Sequence, residues 1–139
     1  MSSHVTRIDH VGFAVADLDE AKAFYARAFG LEVVHEEVNE EQGVREAMLG
    51  VGGSYIQLLA PLSPESTIAK FLDRSGPGIQ QVAFGVDDVV ATAEALRAAG
   101  VRVLYDQPKR GTAGSLVNFA HPKDCGGVLI ELVQSGESH

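Results

Sequence analysis

The chain carries a single cysteine, Cys125, and no tryptophan. One thiol excludes an internal disulfide and suits a reducing compartment, so a cytoplasmic location is expected. Three tyrosines and six phenylalanines offer little surface on which bases could stack. Positive charge is scarce too. Eleven Lys and Arg against nineteen Asp and Glu leave a net charge of −8, which argues against nucleic acid as a partner. It does not argue against a small anion held by a local basic cluster. No apolar run approaches the length of a membrane span, and residues 1–6 lack the apolar stretch of an export signal. Neither a membrane partner nor export is expected. What is present suffices for a core: 139 residues, 45% of them hydrophobic, allow one domain spanning residues 1–139.

The chain repeats itself once. Ile8-Asp-His-Val-Gly-Phe-Ala-Val15 is echoed by Ile79-Gln-Gln-Val-Ala-Phe-Gly-Val86. In that register His10 falls on Gln81, Phe13 on Phe84 and Asp17 on Asp88. The match runs on through Gly30-Leu-Glu-Val33 against Gly100-Val-Arg-Val103, and Tyr55-Ile-Gln-Leu-Leu59 lines up with Leu129-Ile-Glu-Leu-Val133. Two copies are too few for a solenoid, so the pattern reads as two fused modules in one domain.

Within the first module, residues 7–60, Arg7 to Val15 alternates as a strand. Val11, Phe13 and Val15 share one face, while Ile8, His10, Gly12 and Ala14 share the other. The second face is small around a single imidazole, as expected where a strand lines a cavity. Met1 to Thr6 reads as a loose lead-in. Asp17 and Glu20 resemble a capping box, and Leu18, Ala21, Phe24, Tyr25 and Ala28 form an apolar stripe that Gly30 ends. Strands are expected over 31–37, 44–49 and 55–59. The linker, residues 61–78, holds a short helix capped by Ser63 with Pro64 in its first turn. The second module, residues 79–133, repeats the order. Asp88 caps a helix over 89–99, and strands follow at 101–105, 115–120 and 128–133, with a loop over 107–114.

Four polar residues stand inside these apolar strands, two per module: His10, Gln57, Gln81 and Glu131. Alone, His10 is more often a satisfied core histidine, and Gln57 a strand residue facing water. Glu131 is harder to dismiss, because Val128 to Val133 is otherwise apolar on both faces. A buried carboxylate is costly without a positive neighbour. A divalent cation supplies one, and the repeat-related positions supply an imidazole nitrogen and two amide oxygens as further ligands. Glu46, on the strand beside that of Gln57, reads either as a solvated edge carboxylate or as a general base. Lys109, Arg110 and Lys123 read either as surface charges or as a phosphate-binding cluster. Cys125 reads as a structural thiol, His121 as part of a turn, and His4, His35 and His139 carry no functional signal.

With these residues in place, the chain resembles the methylmalonyl-CoA epimerase family of the vicinal oxygen chelate superfamily. The resemblance runs from about Arg7 to Val133. It is carried by Asn39-Glu-Glu-Gln-Gly-Val-Arg-Glu-Ala-Met48, by Ala60-Pro-Leu with Ser66-Thr-Ile-Ala-Lys-Phe-Leu72, and by the His121-Pro-Lys-Asp-Cys-Gly-Gly127 turn leading to Glu131. It implies an α+β fold, with two tandem βαβββ modules forming a curved mixed sheet around a metal-centred cavity. It also implies His10, Gln57, position 81 and Glu131 as metal ligands, with Glu46 and Glu131 as the acid–base pair. Gln80-Gln81 departs from the family's usual His-His. One imidazole and three oxygen donors make a harder site, which favours manganese, cobalt or magnesium over zinc. The implied substrate is a CoA thioester, and a homodimer is expected. Two rivals share the fold: a glyoxalase-type lyase or isomerase, which usually has a carboxylate where Gln57 stands, and a metal-free drug-binding protein.

Overall fold

The computed structural model describes residues 4–136, and its elements follow the alternation and the caps. A first strand, β1 (Val5–Ala14), leads into α1 (Leu18–Phe29). Then come β2 (Val33–Asn39), β3 (Val44–Val51), β4 (Ser54–Pro61), α2 (Thr67–Ser75), β5 (Gly78–Val86), α3 (Val89–Ala98), β6 (Lys109–Arg110), β7 (Leu116–Ala120) and β8 (Ile130–Gln134). The chain resolves into two compact units, His10–Gln80 and the remainder: residues up to Asp9 with those from Gln81 on.

In the unit His10–Gln80, β2 pairs antiparallel with β3 and β3 antiparallel with β4. β4 pairs parallel with β1 from His10 to Ala14. Asp17 caps α1 as expected, its carboxylate accepting from the Glu20 amide at 3.0 Å, and Gly30 ends the helix at φ 70°. Leu18 and Tyr25 of α1 pack on Ala47, Leu49 and Leu58, one face of the β3–β4 pair. Each fully buried leucine there contributes about 1.5–3 kcal/mol. The stripe is narrower than its spacing suggests, since Phe24 is 43% exposed and Ala28 also faces solvent. Phe24 instead meets Tyr25 and Phe29 edge-on outside the core. α2 is capped by Ser66, not Ser63: the Ser66 hydroxyl accepts from the Ala69 amide at 3.1 Å. A Cβ on Gly43 would stand 2.9 Å from the Cβ of Ser66, so only glycine lets the β2–β3 turn approach α2 this closely.

In the other unit, β5 pairs parallel with β8, and β8 and β6 each pair antiparallel with β7. The Thr6 hydroxyl donates to the Gly85 carbonyl at 3.1 Å. Thr6 therefore belongs to a strand and is not loose lead-in, while Met1–Ser3 and His139 lie outside the described residues. Asp88 caps α3, which packs Val89 and Leu96 on Val86, Ile130 and Leu132. The strand expected over 101–105 is absent. Only an isolated bridge joins Val103 to Ala120, and a two-residue strand forms at Lys109–Arg110 inside the expected loop. The cause is Asn118. Its side-chain oxygen accepts from the Tyr105 amide at 3.1 Å, and its nitrogen donates to the Tyr105 carbonyl at 3.0 Å. One buried side chain thus meets both backbone groups of Tyr105, whose carbonyl also accepts from the Arg97 Nη2 at 2.7 Å.

Candidate active site

Strand register decides which polar residues can act together. In the unit His10–Gln80, Gly12 lies opposite Gln57 and His10 opposite Tyr55, while Met48 lies opposite Gln57 and Glu46 opposite Leu59. Cross-strand partners face the same side, and so do residues two apart. His10, Gln57 and Glu46 therefore share one face, the one turned away from α1. All three are buried, at 3%, 4% and 3% exposed respectively. The edge-carboxylate reading of Glu46 is thereby set aside.

In the other unit, Glu131 lies opposite both Ala83 and Phe119, and Gln81 is two residues along β5 from Ala83. Gln81 and Glu131 are 4% and 8% exposed. They meet directly, the Gln81 Nε2 donating to the Glu131 Oε1 at 3.3 Å. Each unit thus carries its own pair of repeat-related polar residues, buried on the sheet face opposite its capping helix.

The basic residues divide. Lys109 pairs with Val117 on β7 and so shares the face of Phe119 and Glu131. Its ammonium sits 4.2 Å from the centre of the Tyr105 ring, and that ring meets Phe119 edge-on at 5.9 Å. Arg110 pairs with Leu116 and takes the opposite face. Lys123 is exposed in the 3₁₀ turn Pro122–Asp124, which His121 caps by accepting from the Lys123 amide. Burial raises the Cys125 thiol pKa, and nearby Asp124 adds to this, as befits a structural cysteine.

Three features lay beyond sequence reasoning. Asp9 is buried and held by Arg7 at 2.6 Å, and Arg7 lies so close to Gly85 that an added Cβ would come within 3.0 Å of it. The Lys109–Tyr105–Phe119 stack joins residues from separate segments. The apolar seat of α2 beside Glu46 is the third. A surface cleft of about 350 Å³ along Arg97 and Gly100–Val103 contains none of the expected site residues.

Among the described residues no three His, Cys, Asp or Glu side chains cluster for a metal. The expected donor set needs no such cluster, since two of its four members are glutamines. His10 and Gln57 in one unit and Gln81 and Glu131 in the other are each buried, and an imidazole, a carboxylate and amide oxygens are donor types that a hard divalent ion accepts.

Comparison with known proteins decides the family. Residues 9–119 match the Glyoxalase/Bleomycin resistance protein/Dioxygenase superfamily. A crystal structure of methylmalonyl-CoA epimerase from Mycobacterium tuberculosis is 55% identical, with a TM-score of 0.95, over 99% of this chain and 93% of that one. The chain belongs to the methylmalonyl-CoA epimerase family. A variant of the Streptomyces coelicolor epimerase, in complex with 2-nitronate-propionyl-CoA, is 52% identical with a TM-score of 0.94, covering 96% of this chain and 99% of that one. The ethylmalonyl-CoA/methylmalonyl-CoA epimerase of Cereibacter sphaeroides is 39% identical over 94% of this chain and 98% of its own length. The doubled βαβββ modules are those of the epimerase fold, as expected from the repeat.

Proposed function

We propose that this protein interconverts the two stereoisomers of methylmalonyl-CoA as a cytoplasmic homodimer. The carrying observation is Glu46, a carboxylate buried on the same sheet face as His10 and Gln57. Membership of the epimerase family supports the substrate. The nitronate bound by the Streptomyces relative is a planar anion, the shape an α-deprotonated thioester takes.

The proton to be moved lies on the carbon between the thioester carbonyl and the carboxylate, and it is too weakly acidic for an unaided carboxylate. His10, Gln57, Gln81 and Glu131 are the residues that would hold a divalent ion, with cobalt, manganese or magnesium favoured over zinc. When bound, that ion supplies Lewis-acid stabilisation of the charge developing on the substrate oxygens. Glu46 takes the proton from one face of the carbon and Glu131 delivers one to the other, each contributing roughly 10²–10⁴-fold. Burial keeps water from competing for the carbanion. Of the three basic residues, Lys109 on the Glu131 face binds the CoA phosphates, and Arg110 on the opposite face and Lys123 on the 3₁₀ turn add longer-range attraction.

The test is α-proton exchange. The purified chain, stripped and then reloaded with cobalt, manganese or magnesium, is incubated with methylmalonyl-CoA in D₂O. Deuterium should enter the α-position and stereoisomers should equilibrate with added metal. No exchange with any of these ions would overturn the reading, and full exchange by the stripped protein would remove the metal from it.

A further inference from the structure

We infer that Leu59, backed by Ile68 of α2, sets the size of the α-substituent that the enzyme accepts. This inference rests on the epimerase reading and adds a specificity residue to it.

On the polar face of the His10–Gln80 unit, chemistry changes along the strands in steps of two residues, each about 6.6 Å. The donors His10 and Gln57 stand at one end. Glu46 comes next, with Leu59 directly across from it on β4. Ala14, Val44, Leu59 and Ile68 then close the far end as one buried apolar cluster, with Phe71 and Leu72 packed behind them. A carboxylate that removes a proton must be in contact with the carbon bearing it. The substrate's two oxygens belong at the donor end, so the remaining substituent, an alkyl group, falls on the apolar side. Leu59 is the first side chain there, with its Cβ about 5 Å from that of Glu46.

This wall is fixed in place. Ser66 caps α2, Gly43 leaves no space between the β2–β3 turn and Ser66, and the Leu62 amide donates to the Gly43 carbonyl at 2.9 Å. A branched, buttressed leucine has a definite shape. Met48, opposite Gln57 at the donor end, is unbranched and adaptable and would make a poor gauge.

The experiment compares kcat/KM for ethylmalonyl-CoA with that for methylmalonyl-CoA in the metal-loaded parent and in Leu59→Val, Ile68→Val and Leu58→Val. Leu59→Val removes one methylene beside Glu46 and should raise the ethyl-to-methyl ratio about tenfold. Ile68→Val, a mild change on the helix, should shift it the same way by a smaller factor, and it serves should Leu59→Val fail to fold. Leu58→Val removes a methylene from the α1 side of the same strand and should leave the ratio alone. If neither Leu59→Val nor Ile68→Val moves the ratio, or if Leu58→Val moves it equally, Leu59 is no gauge. A parent active on methylmalonyl-CoA with an unmoved ratio refutes this inference alone. A parent inactive on both thioesters refutes the epimerase reading as well.

Discussion

Gln81 donates to Glu131 at 3.3 Å, amide to carboxylate, with both side chains buried on one face of the β5–β8 pair. Gln81 is proposed as a metal ligand, and variants at this position test whether the amide serves as one. Gln81→Ala should weaken manganese or cobalt binding by at least about tenfold, 1.4 kcal/mol, with excess metal restoring part of the activity. Gln81→His should bind more tightly and shift preference toward zinc. Titration of metal into the three apo proteins decides. Equal affinity in Gln81→Ala would remove Gln81 from the ligand set.

Glu46→Gln replaces the proposed proton acceptor with a neutral group of the same shape. The variant should keep its fold and metal content while turnover falls roughly 10²–10⁴-fold. Circular dichroism, metal analysis and the exchange assay together separate this from simple unfolding. Near-parental turnover would leave Glu46 without a catalytic part.

Asp124 accepts from the Arg102 amide, Nε and Nη2 at 2.9, 2.9 and 3.1 Å, and the side-chain bonds from Arg102 hold its pKa well below the usual carboxylate range. A depressed folded-state pKa means stability that is fully present above the unfolded value and lost as pH falls toward the folded one. The melting-temperature gap between parent and Asp124→Asn should therefore be present at pH 7 and shrink below about pH 4. The pair is exposed, so the gap should be small and should narrow with added salt. A gap that grew on acidification would contradict this sign.

Local signals were legible in the chain, and relations between distant segments were not. Asp17 and Asp88 announced their helices because an N-cap acts within one turn, and both bonds form. Ser63 is followed by a proline suited to a first turn, yet Ser66 makes the capping bond, with its Cβ close to Gly43 in a contact no local signal announces. Alternation placed His10, Gln57, Gln81 and Glu131 inside strands, but Glu46 stayed open between edge and interior. That β3 is not an edge strand depends on β2 pairing outside it. The 101–105 segment has strand-forming residues, and what interrupts it is a side chain 13 residues further along.

That side chain supports a prediction of its own. Asn118 is buried and meets both backbone groups of Tyr105. Asn118→Ala should cost about 1–3 kcal/mol, since the Tyr105 amide loses its partner, while the Tyr105 carbonyl keeps the Arg97 Nη2 at 2.7 Å. Urea unfolding measures this, and an unchanged midpoint would show the Tyr105 backbone to be satisfied without Asn118.

The two adjacent basic residues of β6 should differ in effect. Lys109 shares its face with Phe119 and Glu131, and its ammonium rests over the Tyr105 ring, while Arg110 takes the other face. If phosphate is held on the Glu131 side, Lys109→Glu should raise the KM for methylmalonyl-CoA several-fold and leave kcat near the parent value, because uniform binding is what is lost. Arg110→Glu should raise it less. Both effects should be larger at low salt, where exposed charges act over a longer Debye length. Lys123→Glu, on the 3₁₀ turn, ranks the third residue of the cluster. Should Arg110→Glu exceed Lys109→Glu, the CoA phosphates would have to be bound from the α3 side of the sheet. Should all three variants match the parent at every salt concentration, these charges are ordinary surface.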